Sequence, residues 1–130
     1  QLDKNIYFHG WKNREQLLQI YKSNDIFLLP SRDEGMPNVM LEAMASGLAI
    51  IGTKVSGLEE VIINNNNGLL VEKENPHELY KAIERLIINK NYISEIGNNA
   101  SSYVEKNYSW ASSALSYMHL LEKVTGEANE

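Results

Sequence analysis

Along the chain, short apolar runs alternate with stretches in which apolar residues recur every three or four positions. Asp25-Ile26-Phe27-Leu28-Leu29-Pro30-Ser31 is such a run, bounded by polar residues and a proline. It has the pattern of a strand buried on both faces, as in a parallel sheet under helices. Residues 6–9, 48–52 and 69–71 read the same way, which with 26–29 predicts four strands. Asn13 followed by Gln16 is a helix-start signal, and Leu17, Leu18 and Tyr21 form the stripe behind it. Pro37 suits the first position of a second helix, Leu41, Met44 and Ala45 recur at helical spacing, and Gly47 suits its stop.

After residue 53 a loop over 54–57 leads into a short helical turn at 58–62, and 64–67 form a polar turn. Asn75-Pro76-His77-Glu78 starts another helix, with Leu79, Ile83, Leu86 and Ile87 as its apolar face. The next helical stretch uses Ile93, Ile96, Ala100, Tyr103 and Val104, weakened in its middle by Gly97, Asn98 and Asn99. Ser109 caps a final helix with Trp110, Ala114, Met118 and Leu121 on one side, a stripe that reads as packing rather than as a cofactor box. The alternation predicts an α/β fold: a Rossmann-like parallel sheet of about four strands with flanking helices.

The most informative stretch runs from Glu34 to Gly47, across a loop-to-helix junction. A strand, a tight loop and a helix present the helix start at the carboxyl edge of a sheet, where open α/β sheets bind ligands. Amides of Asn38, Val39 and Met40 would project from this terminus, and the helix dipole favours an anion there. Gly35 would permit close approach of backbone to a ligand and tolerates positive φ. Glu34 lies in the loop, and Glu42 about a turn and a half into the helix. Either glutamate alone reads as an ordinary exposed charge. Together with Gly35, Pro37 and the preceding strand, they read as clamps on the hydroxyls of a phosphate-bearing, polyhydroxylated ligand.

Composition narrows the classes. At 130 residues the chain suits one domain, and a hydrophobic fraction of 43% is ordinary for a globular one. A net charge of −5 argues against a nucleic-acid partner, and no basic run marks an anionic membrane surface. With no cysteine there is neither a disulfide nor a thiolate metal site. His9, His77 and His119 lack metal-ligand spacing, so no metal is expected. No membrane-spanning run is visible. Gln1 leads almost directly into the first expected strand, as in a piece of a longer protein.

The two glutamates, with seven residues between them, resemble the Glu-x7-Glu motif of nucleotide-sugar-dependent glycosyltransferases of family 4, which have the GT-B fold. The resemblance covers nearly the whole chain. Ile6-Tyr7-Phe8-His9-Gly10 looks like the family's strand ending in Phe-x-Gly, and Pro30-Ser31-Arg32-Asp33-Glu34-Gly35 like its Pro-Ser-x-x-Glu-Gly. Ala49-Ile50-Ile51-Gly52-Thr53, Gly57-Leu58-Glu59-Glu60-Val61-Ile62, Asn67-Gly68-Leu69-Leu70-Val71 and Tyr108-Ser109-Trp110 match later segments. Ser56 stands where the family often has a second glycine.

The resemblance implies an incomplete GT-B carboxyl-terminal domain over residues 1–130, including the closing helix. Of about six strands ordered 3-2-1-4-5-6, the chain would hold the third to the sixth. Residues 6–9 would then pair directly with 26–29. By the same resemblance, Glu34 binds the donor sugar near the reacting centre. Gly35, Met36, Asn38 and Val39 line the sugar and diphosphate, and Glu42 holds the ribose hydroxyls. Arg32 and Lys54 do not match the family's diphosphate-neutralising positions.

The activity implied is retaining transfer from a nucleoside diphosphate sugar to a polysaccharide, lipid or glycan. The nucleotide sugar is a co-substrate; no separate cofactor or metal is implied. The acceptor would be read by an amino-terminal lobe outside this chain, through which any membrane contact would come. The resemblance also implies a cytoplasmic setting. A nucleotide-binding subunit of a split enzyme, a GT-B nucleotide-sugar epimerase and a non-catalytic remnant are the alternatives.

Overall fold

The computed structural model describes residues 4–126. Asn13 makes the reciprocal cap that its spacing predicts. Its side chain accepts from the Gln16 N–H at 2.9 Å, and the Gln16 side chain accepts from the Asn13 N–H at 3.2 Å. Helix α1 (Arg14–Lys22) follows, then β1 (Ile26–Leu29), α2 (Asn38–Ala45), β2 (Ala49–Thr53), the short α3 (Ser56–Glu59) and β3 (Leu69–Val71). Three further helices complete the order: α4 (Pro76–Ile87), α5 (Lys90–Tyr108) and α6 (Trp110–Gly126).

The strands form one parallel sheet in the order β1-β2-β3, with Ile26 opposite Ala49 and Ile51 opposite Leu69. Central β2 is buried at all five positions, which is why its sequence is a continuous apolar run rather than an alternating one. Met40, Met44, Ile50, Leu58 and Val61 fill the core on one face of the sheet. Ile51, Leu69, Leu86 and Ile96 fill the other. Helix α5 serves both clusters, through Ile96 on one side and Ala100 and Val104 on the other.

Gly97 explains how α5 gets so close. A Cβ there would stand 2.1 Å from the carbonyl oxygen of Gly47, the residue that ends α2 in the left-handed region at φ +81°. The glycine that weakens α5 in isolation is therefore what lets it cross the end of α2.

Three sequence expectations are corrected. The α/β class and the parallel sheet hold, but the sheet has three strands among the described residues. Residues 6–9 are not a strand and do not pair with 26–29, and Tyr7 and Phe8 stand 76% and 96% exposed. An apolar run becomes a strand only where a neighbour takes its N–H and C=O groups. Here it finds neither a ladder nor a core.

Helix α6 begins where expected, with the Ser112 N–H donating to Ser109 Oγ at 3.1 Å. Its stripe, however, is not packed: Trp110 is 95% exposed, and Met118 and Leu121 are exposed too. The periodicity made a helix, but none of the stripe belongs to the two buried clusters, and α6 packs mainly on α5. Finally, Pro37 occupies the cap position, one residue before the first helical position.

Candidate functional site at the carboxyl edge of the sheet

β1 ends at Leu29, and residues 30–37 lead into α2. Glu34 sits half-buried in this loop, where Ser31 Oγ donates to its Oε1 at 2.8 Å. The main chain of the loop is held from the next βα connection. Thr53, buried at the end of β2, donates its hydroxyl to the Ser31 carbonyl. The Gly57 N–H donates to the Glu34 carbonyl at 3.2 Å.

This approach is close enough that a Cβ on Gly57 would lie 1.0 Å from the Gly35 carbonyl oxygen. Gly35 itself is different. It is not among the positive-φ glycines, Gly10 and Gly47, and a Cβ on it would meet nothing within 4 Å. The positive φ allowed for at Gly35 is thus not used; its open face is what remains. Met36 and Val39 are 46% and 41% exposed, and Asn38 is exposed beside them.

Of the three amides expected at the start of α2, that of Met40 turns back to the Pro37 carbonyl at 3.0 Å. This tightened first turn removes it from the set, leaving Asn38 and Val39 at the terminus. Glu42, the fifth residue of α2, is half-buried against α1. The Tyr21 hydroxyl lies 3.5 Å from its Oε2, a long hydrogen bond. Burial first, and then the charge and hydrogen bond of Glu42, push the Tyr21 phenol above its usual range. Glu42 opens onto a recess lined also by Arg14, Leu17, Leu18 and Ser46.

Both candidate carboxylates therefore belong to one loop–helix unit, but each has its own partner: Ser31 for Glu34, Tyr21 for Glu42. Two cations near the Glu34 loop, Arg32 and Lys54, are engaged elsewhere. Arg32 pairs with Glu74 at 3.2 Å, and Lys54 with Glu72. The hydrogen bond and charge of Glu72 raise the Lys54 ammonium above its ordinary value. Both pairs tie the site edge to the connection after β3. Among the described residues no three His, Asp or Glu side chains gather as a metal site, and no helix is long and apolar enough to cross a membrane.

Sequence reasoning overlooked the contacts of Thr53 and Tyr21 and used Ser31 and Gly57 only as parts of a resemblance. A hydroxyl residue closing a wholly apolar strand was the available signal for Thr53. Ser31, three residues before Glu34, was the signal for its partner.

A parallel sheet that offers a loop and a helix start at its carboxyl edge is the frame of an open α/β ligand-binding domain. The fold matches that of GT-B glycosyltransferases. Sucrose-phosphate synthase from Thermosynechococcus elongatus aligns with a TM-score of 0.85 and 28% identity, over 97% of this chain and 32% of that one. The Anabaena protein HepE, in complex with UDP-glucose, aligns with a TM-score of 0.83 and 21% identity, over 94% and 33%.

In sequence, the chain is 32% identical over 124 residues to an uncharacterized glycosyltransferase of Methanocaldococcus jannaschii, covering 95% of this chain and 32% of that protein. The family profile of the glycosyl transferases group 1 matches residues 1–103, and the chain belongs to that family. It spans about a third of the length of the curated relatives it matches.

Proposed function

We propose that this chain is the donor-binding part of a retaining glycosyltransferase that uses a nucleoside diphosphate sugar. The observation that carries the reading is the Glu34 loop, bonded through Ser31, Thr53 and Gly57 beside the exposed start of α2. Family membership and the UDP-glucose held by HepE support the same class of ligand.

In this reading Glu34 accepts hydrogen bonds from the donor sugar near its reacting carbon. The backbone at Gly35, Met36, Asn38 and Val39 lines the sugar and diphosphate, with the helix dipole favouring the anion. Glu42 accepts from the ribose hydroxyls, a contact that would exchange the long Tyr21 hydrogen bond for shorter ones. The bond from the sugar carbon to the diphosphate oxygen breaks while a bond to the acceptor oxygen forms on the same face. The acceptor's proton passes to the departing phosphate, so Glu34 orients the sugar and is not a nucleophile. No metal takes part in this scheme.

The acceptor is a polysaccharide, lipid or glycan bound by an amino-terminal lobe that closes over the donor and excludes water. Any membrane contact comes through that lobe, and the setting is the cytoplasm. The test is Glu34→Gln in the full-length protein, with turnover and nucleotide affinity measured together. Turnover should fall more than nucleotide affinity. Equal losses of both would remove Glu34 from the sugar.

A further inference from the structure

The end of β2 and the start of α3 lie outside the motif unit, yet they make the contacts that hold the Glu34 loop. Three of them are independent. Thr53 Oγ1 donates to the carbonyl of Ser31, whose own hydroxyl donates to Glu34 Oε1 at 2.8 Å. The Gly57 N–H donates to the Glu34 carbonyl at 3.2 Å. The Cα of Gly57 is pressed against the loop, so that an added Cβ would lie 1.0 Å from the Gly35 oxygen and 2.7 Å from the Glu34 oxygen.

The obstacle on that side is main chain, which cannot swing away as a side-chain tip can. Thr53 is only 5% exposed and Gly57 is buried, so both contacts are shielded from competing water. The inside of this junction is closely packed, whereas the outer face at Gly35 is open.

We propose that Gly57 and Thr53 are positioning residues for the transfer reaction. Gly57 sets where the Glu34 main chain lies. Thr53, by fixing the Ser31 backbone, sets which way the Ser31 hydroxyl, and with it the Glu34 carboxylate, points toward the donor sugar. Neither residue touches substrate. The inference rests on the donor-site reading above and adds that the reacting geometry is fixed from the second βα connection. A carboxylate displaced by an ångström at a reacting centre loses much of its effect on rate. Glu42 stands on a separate element and should keep its hold on the nucleotide.

The experiment uses the full-length protein with Gly57→Ala, Thr53→Val and Thr53→Ser. Amide exchange is followed at residue 57, whose N–H donates to the Glu34 carbonyl, together with affinity for UDP and GDP and turnover of their glucose conjugates. Gly57→Ala should speed exchange at that amide while α2 and α5 stay protected. Turnover should fall roughly ten- to a hundredfold, with nucleotide affinity nearly unchanged. Thr53→Val should follow it, and Thr53→Ser, which keeps the hydroxyl, should restore turnover.

Should Gly57→Ala fail to fold, the Thr53 pair gives the same decision. Unchanged exchange at the residue 57 amide in the folded variants, or a serine no better than valine, would overturn the positioning role. So would equal losses of affinity and turnover. A wild-type protein that binds neither nucleotide removes the donor reading instead, and the exchange data then show separately whether the loop is held as described.

Discussion

Two glycine-bearing connections meet at the carboxyl edge of this sheet. The one after β1 presents Gly35 with open space where a side chain would begin, beside the exposed Met36, Asn38 and Val39. The one after β2 drives Gly57 into that first loop until no Cβ could fit, and adds the buried hydroxyl of Thr53. The first surface is open to the outside, and the second is packed against the first. A site that must meet a ligand and keep a carboxylate in place needs both, and here the chain divides them between successive βα units.

That division can be broken at its strongest point. Gly57→Val should destabilise the fold by about 3 kcal/mol, the upper end for an overpacked site, because the clash is with backbone. Chemical denaturation of the full-length protein measures it. A loss below the error of that measurement would mean that the two loops are not tightly apposed.

Thr53→Val is nearly the same shape but removes the donor to the Ser31 carbonyl. It should cost about 1–2 kcal/mol by the same measurement, and Thr53→Ser less.

Tyr21 sharpens the picture on the Glu42 side. Its phenol is raised mainly by burial and then by the Glu42 carboxylate, so the folded state holds this proton more tightly than the unfolded chain does. The corresponding stability is complete below about pH 10, the ordinary phenol value, and is lost as pH rises through the folded value. Tyr21→Phe should flatten that alkaline decline in denaturant midpoint. An unchanged decline would place its origin in other groups.

Smallest of all should be Gly35→Ala, within about 0.5 kcal/mol in stability, since nothing stands in the way of a methyl there. A large loss would erase the contrast between the two glycines.

The sequence pattern carried the local parts of this architecture well. Asn13 with Gln16, and Asn75 before Pro76, announced their helices because a cap is made by neighbours a few residues apart. The buried run of β2 and the stop at Gly47 were legible for the same reason. Contacts made at long range were not legible. The run at 6–9 has the composition of a strand, but a strand is defined by its neighbour, and none pairs with it here. The stripe on α6 has the period of a packed face, yet Trp110, Met118 and Leu121 stay exposed. Gly97 looked like a flaw in a helix because the Gly47 carbonyl that requires it lies 50 residues away.

The site divides along the same line. That the candidate carboxylates Glu34 and Glu42 share one loop–helix unit could be read from their spacing. Their contacts could not: Tyr21 comes from α1, Thr53 from the end of β2 and Gly57 from α3.

The central claim is that residues 34–42 form a donor site. Calorimetric titration of the full-length protein with UDP, GDP and their common sugar conjugates tests it most directly, with Glu42→Ala run in parallel. The account expects saturable binding of one nucleotide, weakened in Glu42→Ala by about 1–3 kcal/mol, as when hydrogen bonds to a charged group are lost. No binding to the well-folded protein, or equal affinity in Glu42→Ala, would contradict it.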